Sequence, residues 1–513
     1  MATLPPVFWL PTELLSECFA PCTPVVDPLE PFGLAAPFYS WIAVSHVCRH
    51  WRAVALASAK LWNRVLLTPQ RDWMAELLRR SGETPLEVFA ILPPTYMDIE
   101  NRAKWMASFR VILEEITRIR TLVIHSKLKL DPDVLDLLSK PAALLQDLHL
   151  YNLILGAPDA NGSISSQVPV STFQGGIAAP LKSLSLCRCN IQLSSLDVHA
   201  LTKLSIVGLP WGVASMTLNM RTLVELLRTT PLLESLVVNN ALRPLSAVRA
   251  SDTCPGPLVV LPHLGTFTLS GCSADVMGLL DRLDLPALKR LHLAPKSPTP
   301  ASTDLLASSI ARTMQVFGPL SSIQLYDLNH HDFVLKGSVV HIPESNQALA
   351  GAVDEVTFNI SSRRILCALL EHPVFNGVRT MRIMSLRRRR VWTTVVQHCR
   401  NVSELMVTGK RAMKFLQQML IISPEGTGAS EGTASFPFPQ LRSLSLRGLC
   451  EPRRTSDDAP HTFVDFWRQR LEERRGADDH NFEVTQRQVA HDMTDLLRQL
   501  DTSWVPKCTG DNA

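Results

Sequence analysis

One short pattern recurs along this chain and limits what it can fold into. In the stretch Pro180–Ile191, PLKSLSLCRCNI, the leucines Leu181, Leu184 and Leu186 are spaced L-x-x-L-x-L, with Cys189 following. Leu184 and Leu186 alternate, so on a strand both point to one face, while Ser183, Ser185 and Cys187 point to the other. One such strand cannot bury its apolar face alone; a stack of them can. The spacing returns with Leu145, Leu148 and Leu150; Leu201, Leu204 and Ile206; Leu233, Leu236 and Val238; Leu264, Phe267 and Leu269; Leu288, Leu291 and Leu293; and Leu441, Leu444 and Leu446. Weaker copies begin at Ile119, Leu320, Val353, Val378 and Val402, which makes twelve in all. Between them, helical periodicity is legible over Asp133–Ser139, Leu218–Thr229, Asp275–Leu283, Asp304–Phe317 and Met413–Ile422.

The repeating unit resembles the leucine-rich-repeat strand, with Cys189 and Cys272 at the turn position that accepts Asn or Cys. The expected fold is therefore α/β: an irregular leucine-rich-repeat solenoid, or horseshoe, over residues 119–450, ending in a helical C-terminal cap over 451–513. Candidate cap helices are Thr462–Arg475 and Glu483–Leu500. Residues 67–118 read as connecting helices, with Trp73, Leu77 and Leu78, then Trp105, Phe109 and Ile112, on helical stripes, and Pro85, Pro93 and Pro94 breaking them.

The amino-terminal stretch is different. Leu10–Ala20, LPTELLSECFA, suits a helix start at Pro11 and Thr12, where proline lacks an orphaned N–H and the threonine hydroxyl can cap. Leu14, Leu15, Cys18 and Phe19 fall on one stripe. After the proline-bearing stretch Pro21–Pro37, helical periodicity resumes over Phe38–Ser58, with Trp41, Val44, Val47, Cys48, Trp51, Val54 and Ala55 recurring at threes and fours. Two such short helices are too small for a stable domain, and are expected to complete their core on a partner.

These residues resemble an F-box, in the form common in mushroom-forming fungi. The resemblance covers residues 8–66 and rests on Leu10-Pro11, Glu13, Leu14, Leu15, Phe19, Val44, Ser45, Val47, Cys48, Arg49, Trp51, Leu61 and Trp62. The stretch Pro21–Pro37 is longer than the usual link. The resemblance implies docking onto a Skp-family adaptor, and through it a cullin, by Leu10, Pro11, Leu14, Leu15, Val44, Val47 and Trp51. The chain would then be the substrate-recognition subunit of an SCF-type cullin–RING ubiquitin ligase, in the cytoplasm or nucleus, doing no bond chemistry itself. A leucine-rich-repeat scaffold acting outside any ligase is the alternative.

The substrate would meet the polar face of the strands. Pattern alone puts His149, Tyr151, Lys203, Arg290, His292, Tyr326, Arg382 and Arg447 on that concave side, with Asn239, Gln324 and Glu355, all expected to be exposed. No catalytic or nucleotide-binding signature is present in the sequence, and no cofactor is expected. His330, His331, Asp332 and His341 form the densest His/Asp cluster and read as an exposed turn; a metal-dependent enzyme built on them is a third reading. Arg387–Arg390 reads as a solvated loop, with nuclear import or a phosphate contact as the functional alternatives. A net charge of +4 over 513 residues does not argue for nucleic acid. Eleven scattered cysteines suggest reduced thiols, and neither a secretory signal nor a membrane-spanning run is read from the sequence.

Overall fold

A computed structural model describes residues 10–23, 38–93, 97–126, 130–151, 181–189, 198–208, 218–242, 257–296, 303–328, 332–339, 355–409, 412, 438–447 and 483–487. The chain forms two compact units, Met1–Arg243 with Ala250–Cys254, and Pro244–Arg249 with Pro255–Ala513.

The first unit opens with helices α1 (Thr12–Phe19), α2 (Arg49–Ala57) and α3 (Ala59–Trp62), with a 3-10 turn over Ser40–His46 before α2. The periodicity over Phe38–Ser58 is thus split. Cys48, in extended conformation, ends the 3-10 turn and its Sγ accepts the Trp51 N–H at 3.4 Å, which caps α2. At α1 the helix starts on Thr12 itself, and Pro11 in the N-cap position supplies no side-chain bond.

A parallel sheet follows in chain order: β1 (Arg64–Leu66), β2 (Leu86–Ile91), β3 (Ile119–His125), β4 (Asp147–Tyr151), β5 (Ser183–Cys187), β6 (Lys203–Val207) and β7 (Ser235–Asn239). The helices α4 (Arg71–Ser81), α5 (Ile99–Glu114), α6 (Pro132–Leu138) and α7 (Met220–Arg228) lie between strands in sequence. The register stacks Leu122, Leu148, Leu184, Leu204 and Leu236 in one row and Ile124, Leu150, Leu186, Ile206 and Val238 in the next, all buried. Each such side chain stabilises the fold by roughly 1.5–3 kcal/mol. Arg118 staples the end of α4: its guanidinium donates to the Leu78 and Thr84 carbonyls and to Ser81 Oγ at 3.0–3.2 Å, satisfying carbonyls that a helix end leaves open.

The sheet therefore begins at Arg64, not at Ile119, and residues 67–118, expected as connecting helices, hold α4 and α5 with the strand β2 between them. β2, LEVFAI, lies directly after Pro85, which reads in sequence as a breaker; a proline before the first strand residue costs no ladder bond.

The second unit contains β8 (Val259–Val260), β9 (Thr266–Cys272), α8 (Ser273–Leu280), β10 (Leu283–Asp284), β11 (Arg290–Lys296), α9 (Thr303–Met314), β12 (Ser322–Asp327), β13 (Phe333–Ser338), β14 (Glu355–Ile360), α10 (Arg363–Leu370), β15 (Thr380–Met384), α11 (Arg389–His398), β16 (Glu404–Thr408), β17 (Ser443–Arg447) and β18 (Glu483–Arg487). Its main sheet runs β9-β11-β14-β13-β12-β15-β16-β17-β18, and β8 with β10 forms a small parallel pair. All neighbours in the main sheet are parallel except β13, which is antiparallel to both β12 and β14. Helices α8 to α11 pack side by side.

This architecture overturns the expected irregular leucine-rich-repeat horseshoe with a helical C-terminal cap. In a solenoid each repeat contacts its neighbours in sequence. Here β11 pairs with β14, the chain returns through an antiparallel β13 to β12, and only then joins β15. The protein is α/β, with large, mostly parallel sheets flanked by helices. The stretch Glu483–Arg487, expected to open a cap helix, is a strand parallel to β17. The candidate helices Thr462–Arg475 and Met413–Ile422 lie outside the described residues.

Candidate functional site

Two surfaces concentrate the residues that the sequence singles out, one in each unit. In the first unit α1 packs against α2, with the Phe19 and Trp51 rings 5.0 Å apart and Ser16 Oγ 2.5 Å from Ser58 Oγ. One side of this module is buried: Leu15, Phe19, Trp41, Val54, Ala55, Leu61 and Trp62. Trp62 donates its indole N–H to the Ala55 carbonyl at 2.8 Å, meets Trp41 edge-on at 4.9 Å, and carries the Arg80 guanidinium 4.3 Å from its ring centre. The buried side of the module thus packs on α4 and β1 of its own chain.

Its other side keeps apolar groups in solvent. Leu14 is 54% exposed, Val47 60% and Leu10 37%; Pro11 is exposed as well, and Val44 and Trp51 are half-buried. Leu15 does not belong with this set. It is 1% exposed, because consecutive helical residues lie about 100° apart and the turn that shows Leu14 to solvent drives Leu15 into the core.

The sheet of the first unit is covered over β2 to β5 on the face opposite its leucines. Phe38 enters a cluster with Phe89, Val123, Tyr151 and Cys187, and Tyr39, Leu66 and Val207 pack against it. The Tyr39 hydroxyl donates to the Leu66 carbonyl at 2.9 Å and accepts the Leu66 N–H at 3.0 Å. Burial holds its proton far more tightly than in an ordinary tyrosine. His149 and Tyr151, expected to be exposed, are consequently buried at 5% each. Alternation tells which face a residue is on; it does not tell what covers that face. Lys203 is exposed on β6, and Asn239 is half-buried at the end of β7. Cys187 is buried, and the Cys189 thiol lies 3.2 Å from the carbonyl oxygens of Leu150 and Cys187.

The second unit brings polar side chains together. By register, His292, Thr357, Lys336, Gln324, Arg382 and Met406 form one row across β11, β14, β13, β12, β15 and β16, on the face opposite the buried leucines. At 4.7–4.9 Å per strand the row spans roughly 24 Å. Arg290 and Glu355 are neighbours in the adjacent row, and Thr357 Oγ1 donates to Glu355 Oε1 at 3.4 Å. Tyr326 donates its hydroxyl proton to Gln324 Oε1 at 2.5 Å; burial raises its pKa, and Glu355 adds to this while Arg382 opposes it. His292 is the dry end of the row. Burial, with the neighbouring Lys336 ammonium, pulls its pKa down to about 4, so it is neutral at physiological pH. Against expectation it is buried rather than presented to solvent.

Of the residues expected on a single concave face, Arg290, His292, Tyr326 and Arg382 share this surface with Gln324 and Glu355, whereas His149, Tyr151 and Lys203 lie in the other unit. Arg447 closes β17 in register with Thr408 and Arg487. Sequence reasoning missed Lys336, because β13 lies where the His/Asp cluster reads as a turn. The signal was the alternation of Phe333, Leu335 and Gly337 with Val334, Lys336 and Ser338. His330, His331 and His341 lie outside the described residues, and among the described residues no group of three possible metal ligands occurs. Among them, too, no helix is long and apolar enough to cross a membrane.

The chain matches no protein-family model and no curated protein sequence.

Proposed function

We propose that this chain is the substrate-recognition subunit of an SCF-type cullin–RING ubiquitin ligase. The observation that carries the reading is the exposed apolar side of the amino-terminal module. Leu10, Leu14 and Val47 stand in solvent on a module whose opposite side is buried through Trp41, Leu61 and Trp62. Such residues, left in water by a module that has already filled its own core, fit an interface anchor, and their spacing resembles the F-box surface that meets a Skp-family adaptor. Pro11, Val44 and Trp51 complete the docking set; Leu15 holds the module together from within.

The polar row of the second unit is the candidate substrate surface. Lys336, Gln324, Arg382, Glu355 and Tyr326 mix both charges with an aromatic group over a span that suits a folded protein surface or an extended segment. In this reading the chain forms and breaks no bonds. It raises the concentration of a substrate lysine beside a charged ubiquitin-conjugating enzyme, in the cytoplasm or nucleus.

Reconstitution tests this. The full chain, mixed with a Skp-family adaptor, a cullin, a RING subunit and the enzymes that charge ubiquitin, should elute as one complex and acquire ubiquitin itself. Elution of the chain apart from the adaptor would contradict the ligase reading and leave a binding scaffold.

A further inference from the structure

The arginine run Arg387–Arg390 finds its setting among the helices of the second unit. Helix α11 begins with Arg389 and Arg390, and its neighbour α10 begins with Arg363 and Arg364; neither has an acidic residue in its first turn. Between α9, α10 and α11 lies a cleft of about 440 Å³. Arg363, Arg364 and Arg390 line it, with Asp304, Glu371 and Thr393. The three arginines are exposed, and among the described residues none of them forms an ion pair.

This arrangement runs against local electrostatics. A helix start carries partial positive charge and is stabilised by anions. Here two adjacent helices begin on paired cations, and the cleft gathers three guanidinium groups against two carboxylates, Asp304 and Glu371, with no ion pair between them among the described residues, so that positive charge is in excess. An anion seated among them would relieve that repulsion. Arginine offers planar, paired donors that fit phosphoryl oxygens. Three other lining residues can accept hydrogen bonds. Asp304 and Glu371 are carboxylates, and Thr393 spends its own proton on the Arg389 carbonyl at 3.1 Å, which leaves its lone pairs available. The volume falls in the range of small-molecule sites.

We propose that this cleft binds a small phosphorylated molecule bearing hydroxyl groups, with the arginines on the phosphoryl oxygens and Asp304, Glu371 and Thr393 accepting from the hydroxyls. The assignment is independent of the ligase reading.

Calorimetric titration of the full chain at low salt tests it, with a hexose 6-phosphate, the unphosphorylated hexose, inorganic phosphate and a phosphoserine peptide as probes. The hexose phosphate should bind saturably, inorganic phosphate should compete with it, and the bare hexose should give no signal. Arg363→Gln combined with Arg390→Gln should weaken binding about tenfold or more. Arg390→Lys, which keeps the charge and loses the paired geometry, should weaken it less. The thermal midpoint of the double variant without ligand should not fall, since the exposed arginines make no ion pair. Binding undiminished in the double variant, or no binding of any phosphoryl probe, would overturn the proposal. Preference for the phosphoserine peptide over the hexose phosphate would overturn the small-molecule assignment and move the site to a protein ligand.

Discussion

Removing a single oxygen from Tyr39 tests how the amino-terminal module is locked to the sheet. β1 is the edge strand of the first unit, and its Leu66 N–H and carbonyl are both taken by the Tyr39 hydroxyl. Tyr39→Phe keeps the ring, and with it the edge-on contacts to Phe38 at 5.0 Å and Trp73 at 5.6 Å. What it loses is two hydrogen bonds, each with a net worth of about 0.5–1.5 kcal/mol, and it strands a backbone donor and acceptor at a largely buried site. The expected destabilisation is about 1–3 kcal/mol. For a unit of this size that lowers the thermal midpoint by about 2–4 °C for each kcal/mol. A second signature follows from ionisation. Because the folded-state pKa of Tyr39 is raised, the unfolded chain releases this proton first as the pH climbs past about 10. The stability that the neutral hydroxyl confers is therefore complete below pH 10 and is lost progressively above it. Scanning calorimetry of wild type and variant from pH 7 to pH 11 should show a gap that narrows at the alkaline end. An equal midpoint at pH 7 would refute the idea that this hydroxyl closes the sheet edge, and a gap that widens with pH would refute the ionisation argument.

Other substitutions probe the remaining parts of the structure. His292→Gln should flatten the acid limb of stability: the folded-state pKa of about 4 lies below the unfolded value near 6.5, so wild type loses up to about 1.4 kcal/mol per pH unit as the pH falls between these values, and denaturant titrations at pH 7 and pH 5 should show the loss in wild type alone. Gly208→Ala should destabilise the first unit by about 1–3 kcal/mol, because a Cβ there would run into the backbone of Asn240 and Ala241; an unchanged denaturation midpoint would show that the two segments are not in close contact. Leu15→Ala should cost about 2–5 kcal/mol, whereas Leu14→Ala, one residue away, should stay within about 0.5 kcal/mol, as measured by the same denaturation.

The sequence was most legible where one physical rule sufficed. Each of the twelve L-x-x-L-x-L copies ends in a strand, because burial of alternate leucines is a local property that spacing records. Of the strands that the twelve copies do not mark, β1, β2, β13 and β18 lack the leading leucine, and β8 and β10 are only two residues long. β13 was the costly omission: without it Ile323 and Val356 look like members of successive parallel repeats, and the antiparallel return that breaks the solenoid is invisible. The site was legible only in part, for a related reason. Register brings Arg382 and Tyr326 beside Lys336, but Lys336 needed the missing strand. Alternation alone puts His149 and Tyr151 in solvent, because nothing near them in sequence announces that Phe38, more than a hundred residues earlier, lies in the cluster that includes Tyr151. The module itself illustrates the same limit: Leu14 and Leu15 both fit the apolar stripe, and only the packing of Phe19 on Trp51 decides which of them turns inward.

The central claim, that the exposed side of the amino-terminal module is a docking surface, is tested most directly by measuring the affinity of a purified Skp-family adaptor for the full chain and for Leu14→Asp combined with Val47→Asp. Both residues are solvent-exposed, so the variant should keep the wild-type thermal midpoint while adaptor binding is lost. Equal affinity of the two proteins for the adaptor, or no binding to either, would contradict it.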